Sequence, residues 1–265
     1  MIRLLLILLV WCSFAHAEDP LPSELPLVQE ESALRMAERT GSLIFRHDRA
    51  AAVATDALAK AHGFKRDERL QGWVSEELGQ DIVVTFLGSK KGDPAEALYR
   101  VKVDSDGRLV GKAVVLATPE PLSDFEAGAA KARSIATALE FQPCAEKYNS
   151  VVLPSEGGIS TWVVYLVPGT TEKHVVPIGG AYRVEVDNGS GEAKIRPFTR
   201  TCIQLQNEPK ALGLIVTHLL DPVPTEVHVF WSIWAKKPIV VSTPPHGTVW
   251  LVDGASIKLV ERRAR

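Results

Sequence analysis

"YRVKVDSDGRLVGK" occupies residues 99–112, and "YRVEVDNGSGEAKI" occupies residues 182–195. Each phrase writes Tyr-Arg-Val, a charged residue, Val-Asp, and then a short turn rich in Gly and Ser. Tyr99, Val101 and Val103 alternate with Arg100 and Lys102, as Tyr182, Val184 and Val186 alternate with Arg183 and Glu185. Period-two alternation marks a strand with one buried face. Asp104-Ser105-Asp106-Gly107 and Asp187-Asn188-Gly189-Ser190-Gly191 supply the turns, and "RLVGKAVVL" and "EAKIRPFTRTCIQL" return the chain. The same hairpin is written twice, with Tyr and Val toward a core and Arg, Lys and Glu toward water.

Working outward, "LQGWVSEEL" and "DIVVTFLG", joined at Gly79-Gln80, read as strands ahead of the first hairpin. "YNSVVLP" and "STWVVYLVPG" stand in the same place ahead of the second, and "VVTFLG" matches "VVYLVPG". Helical patterns come before both sets. Residues 27–39 form one, Thr40-Gly41-Ser42 breaks it, and a second runs from about Asp48 to His62 with Gly63 as a cap. The helix at residues 124–141 starts with Ser123 and Glu126 at capping-box spacing. Helix, antiparallel strands and terminal hairpin recur in one order, which points to duplication.

After Pro209 a third segment begins. "KALGLIVTHLLDP" reads as helix. "PTEVHVFWSIWAKK" fits a helix entered at Pro224, with Val227, Phe230, Ile233 and Trp234 on one side, although Val227, Val229 and Trp231 also alternate as in a strand. Helix is favoured because Ser-Ile-Trp-Ala-Lys-Lys completes a further turn. "PIVVST", "TVWLVDG" and "ASIKLVE" then make a meander turned at Asp253-Gly254. The expected fold is α+β: two helix-on-antiparallel-sheet units, at residues 27–118 and 119–208, and a smaller helix-plus-meander at residues 209–265.

The helix-then-strands order, the hairpins at Tyr99 and Tyr182 and the Trp162-Val163-Val164-Tyr165 strand resemble the PepSY-type α+β unit of exported bacterial proteins, over residues 48–116 and 123–200. The connection "PGTTEKHVVPIGG" and the cysteine pair depart from that pattern, and the end of the chain resembles that of other exported bacterial proteins. The resemblance implies a peptidase-inhibiting, regulatory or binding module rather than an enzyme.

The first seventeen residues, "MIRLLLILLVWCSFAHA", place one Arg ahead of a short apolar run and end in Ala15-His16-Ala17, a small-x-small cleavage pattern. They read as a signal peptide too short for an anchor, followed at residues 18–26 by the Pro-rich "EDPLPSELP". The expected location is the periplasm or outside the cell. Thirty basic residues against 32 acidic give a net charge of −2, and no long basic run suggests a nucleic-acid partner. Beyond the leader two cysteines remain, Cys144 and Cys202, and in an oxidising compartment an even pair reads as a disulfide. Such a bridge is expected to pin the second unit's helix to its sheet.

Catalytic signatures are missing. Asp104-Ser105-Asp106-Gly107 brings Gly too early for a calcium loop, and Asn188 ahead of Gly189-Ser190-Gly191 rules out a nucleophile elbow. His47, His62, His174, His218, His228 and His246 form neither H-x-H nor H-E-x-x-H, so no metal site or cofactor is expected. His218, His228 and Glu226 are the nearest grouping of such residues. The densest aromatic cluster is Phe230, Trp231 and Trp234. At helical spacing such a stripe serves a core or a partner groove, and these three with His218 and His228 are the candidate binding residues. The expected function is non-enzymatic binding of a peptide or protein, as an inhibitor or regulator. The alternatives are an envelope hydrolase whose residues converge from separate segments, and a structural envelope protein.

Overall fold

The computed structural model describes residues 21–60, 63–89, 94–155, 158–170, 172 and 174–262. The leader at residues 1–17, the start of the Pro-rich stretch and His62 lie outside the described residues. Among the described residues the fold is α+β, with three α-helices and four mostly antiparallel sheets.

Helix α1 (Leu27–Leu58) is a single helix of 32 residues, about 48 Å long at 1.5 Å per residue. The expected break at Thr40-Gly41-Ser42 is corrected: the helix runs through it, and Ser42 Oγ donates to Glu38 O at 2.7 Å. Gly41 marks a crossing instead. A Cβ there would lie 2.5 Å from Glu226 O and from Val229 Cβ, so glycine is what lets helix α3 (Glu226–Ala235) approach.

After a single 3-10 turn (Phe64–Arg66), strands β1 (Leu70–Leu78), β2 (Asp81–Gly88), β3 (Glu96–Val103) and β4 (Leu109–Glu120) form an antiparallel meander. Ile82, Val84, Val101 and Val103 bury one face under Ala50, Ala51, Ala54 and Leu58 of α1. Helix α2 (Asp124–Thr137) packs on the other face, through Val74 and Leu87. Its capping box is present: Glu126 N–H donates to Ser123 Oγ at 3.1 Å, and Ser123 N–H to Glu126 Oε2 at 2.9 Å.

Strands β5 (Tyr148–Ser155), β6 (Gly158–Pro168), β8 (Tyr182–Asp187) and β9 (Ala193–Pro197) form a second antiparallel meander, and β7 (Val175–Val176) pairs separately with β10 (Leu205–Gln206). Val152, Trp162, Val164 and Val184 face α2, while Val151, Tyr165 and Val167 join the core under α1 and α3. Burial on both faces explains why "WVVYLV" reads as one apolar run rather than an alternation. β1 and β5 are end strands that come side by side, and Arg133 of α2 ties them, donating to Ser150 Oγ at 2.9 Å and to Gln71 O at 3.1 Å.

The last sheet is β11 (Leu214–Thr217), β12 (Ile239–Thr243), β13 (Thr248–Asp253) and β14 (Ser256–Glu261). The helix expected at "KALGLIVTHLLDP" is corrected: residues 214–217 are a strand parallel to β12, reached through α3. Buried Leu214 and Val216 alternate with exposed Ile215 and Thr217, a period of two inside a stretch too short to display it. Thus α3 is a crossover helix between α1 and the sheet, as parallel strands require.

Candidate functional site

An open groove of about 1310 Å³ lies where α1, the second sheet and the approach to α3 meet. Its floor is the α1-facing side of the second sheet: Val163 and Tyr165 on β6, Arg183 and Glu185 on β8, Lys194 and Arg196 on β9. One wall is α1, with Met36, Thr40 and Leu43; another is residues 221–226, including Val223 and Pro224. At one end it reaches the facing sheet edges, lined by Glu76 and Glu77 of β1 and residues 152–155 of β5. The two edges, tied near Gln71 and Ser150 by Arg133, therefore both border the groove at their C-terminal ends.

Polar groups in the groove are largely held by each other. Tyr165 donates its hydroxyl hydrogen to Glu226 Oε1 at 3.1 Å, and desolvation, then the charge of Glu226, raise the phenol well above its ordinary value. Arg183 pairs with Glu185 at 3.1 Å, Arg46 with Glu77 at 2.7 Å, and Arg196 with Asp221. Arg183 Nε is buried with no hydrogen-bond partner among the described residues. Glu76 has no salt-bridge partner among them, and burial followed by the charge of Glu126 raises its carboxyl above the ordinary carboxylate range.

The candidate residues from the sequence fall beside this groove rather than in it. Phe230 and Trp231 are buried in the core between α1, α3 and the last sheet; Trp234 packs partly buried against them, its ring centroid 5.3 Å from that of Trp231. None of the three lines the groove. His218 is 2 % exposed, and its Nε2 lies 2.8 Å from Asp221 Oδ2, while its ring meets that of His228 edge-on at 4.7 Å. His228 Nδ1 accepts from Thr225 N–H at 3.1 Å, which requires a neutral imidazole. Burial, then His218, lowers its pKa well below the usual value. Burial raises and the His218 and Arg196 contacts lower the Asp221 carboxyl, with the lowering prevailing. So His218, Asp221 and Arg196 form a chain that couples the α3 approach to β9, with Asp221 exposed to the groove. Among the described residues no cluster of His, Cys, Asp and Glu side chains could hold a metal ion.

Sequence reasoning missed the groove residues because they come from eight elements spread along the chain. Arg100 is likewise corrected: expected to face water, it donates from Nε to Glu126 Oε1 at 3.1 Å and from Nη2 to Oε2 at 3.0 Å, holding α2 on the first sheet. Thr85 adds a hydrogen bond to Oε1 at 2.6 Å. Burial pushes the Glu126 carboxyl up, but these donors outweigh it and hold it below its ordinary value. The disulfide is present between Cys144 and Cys202, with Cα atoms 5.3 Å apart. It joins the loop after α2 to the loop after β9, so it clamps two loops at one end of the second sheet rather than helix to sheet.

The chain matches no protein-family model, no curated protein and no solved structure.

Proposed function

We propose that this chain is an exported, periplasmic module without enzymatic activity, which binds a peptide or an exposed segment of a protein in the groove and so inhibits or regulates it. The observation that carries the reading is the groove itself, an open, mostly apolar trough that two sheet edges border at one end. Its volume exceeds the ~300–1,000 Å³ usual for small-molecule clefts, which favours a segment of chain as occupant. Export is supported by the leader at residues 1–17 and by the bonded cysteines, since disulfides persist in oxidising compartments. The PepSY-type resemblance and the duplication belong to the same proposal. Both large meanders are entered from a helix and carry the Tyr-Arg-Val phrase on the strand before the last.

One observation favours a second reading, an envelope hydrolase: the His218–Asp221 pair reaches the groove through Asp221. Binding is preferred because His218 is almost wholly buried, with Nε2 already engaged, so no ring nitrogen is presented to a substrate.

Selection of a displayed random peptide library on the immobilised protein tests the proposal. Selected peptides are expected to bind at micromolar affinity and to lose binding to Thr40→Trp. That substitution fills the groove from a half-exposed helix position and leaves the core alone. No selectable peptide, or peptides indifferent to Thr40→Trp, would overturn it.

A further inference from the structure

We infer that the groove's occupant is a basic segment, a stretch of chain in which Lys or Arg alternates with apolar residues, and that Glu76 and Glu226 receive its cationic groups. The inference rests on the groove being a peptide site and names the chemistry of the peptide.

The charge count of the lining decides the sign. Among the described residues, seven carboxylates line the groove against three Lys and Arg side chains. Two of those three bases are already committed within the groove, Arg183 to Glu185 and Arg196 to Asp221. The surplus is therefore negative, although the chain as a whole carries a net charge of only −2. A low-dielectric trough with one sign of charge attracts the opposite sign more strongly than an open surface does. An acidic segment or a phosphate backbone would meet repulsion there.

Two carboxylates are placed to act. Glu76 lines the sheet-edge end, has no salt-bridge partner among the described residues and is repelled by Glu126, so a ligand ammonium or guanidinium would relieve an existing repulsion rather than compete with an existing pair. Glu226 lies in the wall formed by residues 221–226, with one oxygen accepting from Tyr165. The same lining carries the apolar side chains Met36, Leu43, Leu153, Val163, Val223 and Pro224. A lining that mixes carboxylates with apolar side chains asks for cations carried beside apolar residues, which a polyamine or a free metal ion cannot supply.

Two labelled octapeptides of equal apolar content are the probes, one alternating Lys with Leu and one alternating Glu with Leu, each titrated by fluorescence anisotropy at about 0.15 M salt, where exposed charges are screened within ~8 Å. The Lys–Leu peptide is expected to bind at least about tenfold more tightly. Glu76→Gln and Glu226→Gln are each expected to weaken it about fivefold, while Glu146→Gln, an exposed acid outside the groove, leaves it unchanged. Glu76→Gln removes a charge that burial disfavours and breaks no salt bridge among the described residues, and an unchanged thermal midpoint of the variant makes its binding result readable. Equal binding of both peptides, abolished in both by Thr40→Trp, would leave the groove as a peptide site and overturn its preference for bases. Lys–Leu binding that ignores Thr40→Trp and falls equally with Glu146→Gln is diffuse attraction, and overturns both readings.

Discussion

His47 and His228 are both held neutral by their surroundings. His47 is buried on α1 with Nδ1 2.7 Å from Ser75 Oγ, and burial, then the charge of Arg46, brings it down to about 4. His228 is lowered by burial and then by His218. The unfolded chain takes protons on these rings below about 6.5 while the folded chain refuses them, so each costs about 1.4 kcal/mol of stability per pH unit as the pH falls below that value. Half-buried Asp48 acts in the opposite sense. Desolvation pushes it up to about 6, against the hydrogen bond from Asn149, so the folded chain gains its proton first and gains stability from about 6 down to the unfolded carboxyl's value. Two losses against one gain leave a net loss of about 1.4 kcal/mol per unit between pH 6 and 5. Asp48→Asn removes the gain, and its stability is expected to fall about twice as steeply over the same range. Urea midpoints at pH 7, 6 and 5 measure both slopes. A wild-type curve that is flat or rises toward pH 5, or a shallower curve for the variant, would contradict these assignments.

At the scale of elements, the strands with one exposed face were legible. The Tyr99 and Tyr182 hairpins, the turns at Gly79 and Asp253-Gly254, and the Ser123–Glu126 capping box all follow from local chemistry. What misled was a residue whose role is tertiary. Gly41 reads as a breaker, yet it serves the close crossing of α1 over α3. Two effects of Gly41→Ala oppose each other. Alanine gains about 1 kcal/mol of helix propensity. Its Cβ meets the backbone oxygen of Glu226, which cannot rotate away, and overpacking of this kind costs about 1–3 kcal/mol, more when backbone must move. Net destabilisation is expected, seen as a lower thermal midpoint; a stabilised variant would mean that the helices do not cross at Gly41. The disulfide is the other tertiary device. Its cysteines were legible, but the loops that carry them were not, because Thr199 to Ile203 reads as a continuing strand once the alternation of β9 is followed past Pro197. With a sequence separation of 58 between the two cysteines, reduction is expected to lower stability by about 4 kcal/mol in the chain-entropy account. Chemical denaturation with and without a reductant checks this; equal stability in both would show that the bond does not form in solution.

For the whole molecule, α1 is the member that joins the three four-stranded sheets into one structure. Its C-terminal half covers the first sheet, its N-terminal half packs on α3, and Glu38 accepts from Ile257 N–H at 2.7 Å to hold β14. The groove exists because this helix spans from one sheet to the next and leaves the floor of the second sheet partly uncovered. No local pattern announces such a space: its residues are ordinary strand and helix positions separated by up to most of the chain. The aromatic cluster at Phe230, Trp231 and Trp234, conspicuous in the sequence, is instead spent on seating α3. Hydrogen exchange of the purified protein, with and without a saturating groove-selected peptide, tests the central claim most directly. The account expects slower exchange in residues 148–155, 163–165 and 221–226, and no change in residues 239–261 of the last sheet. Protection confined to the last sheet, or no protection anywhere under saturating peptide, would contradict it.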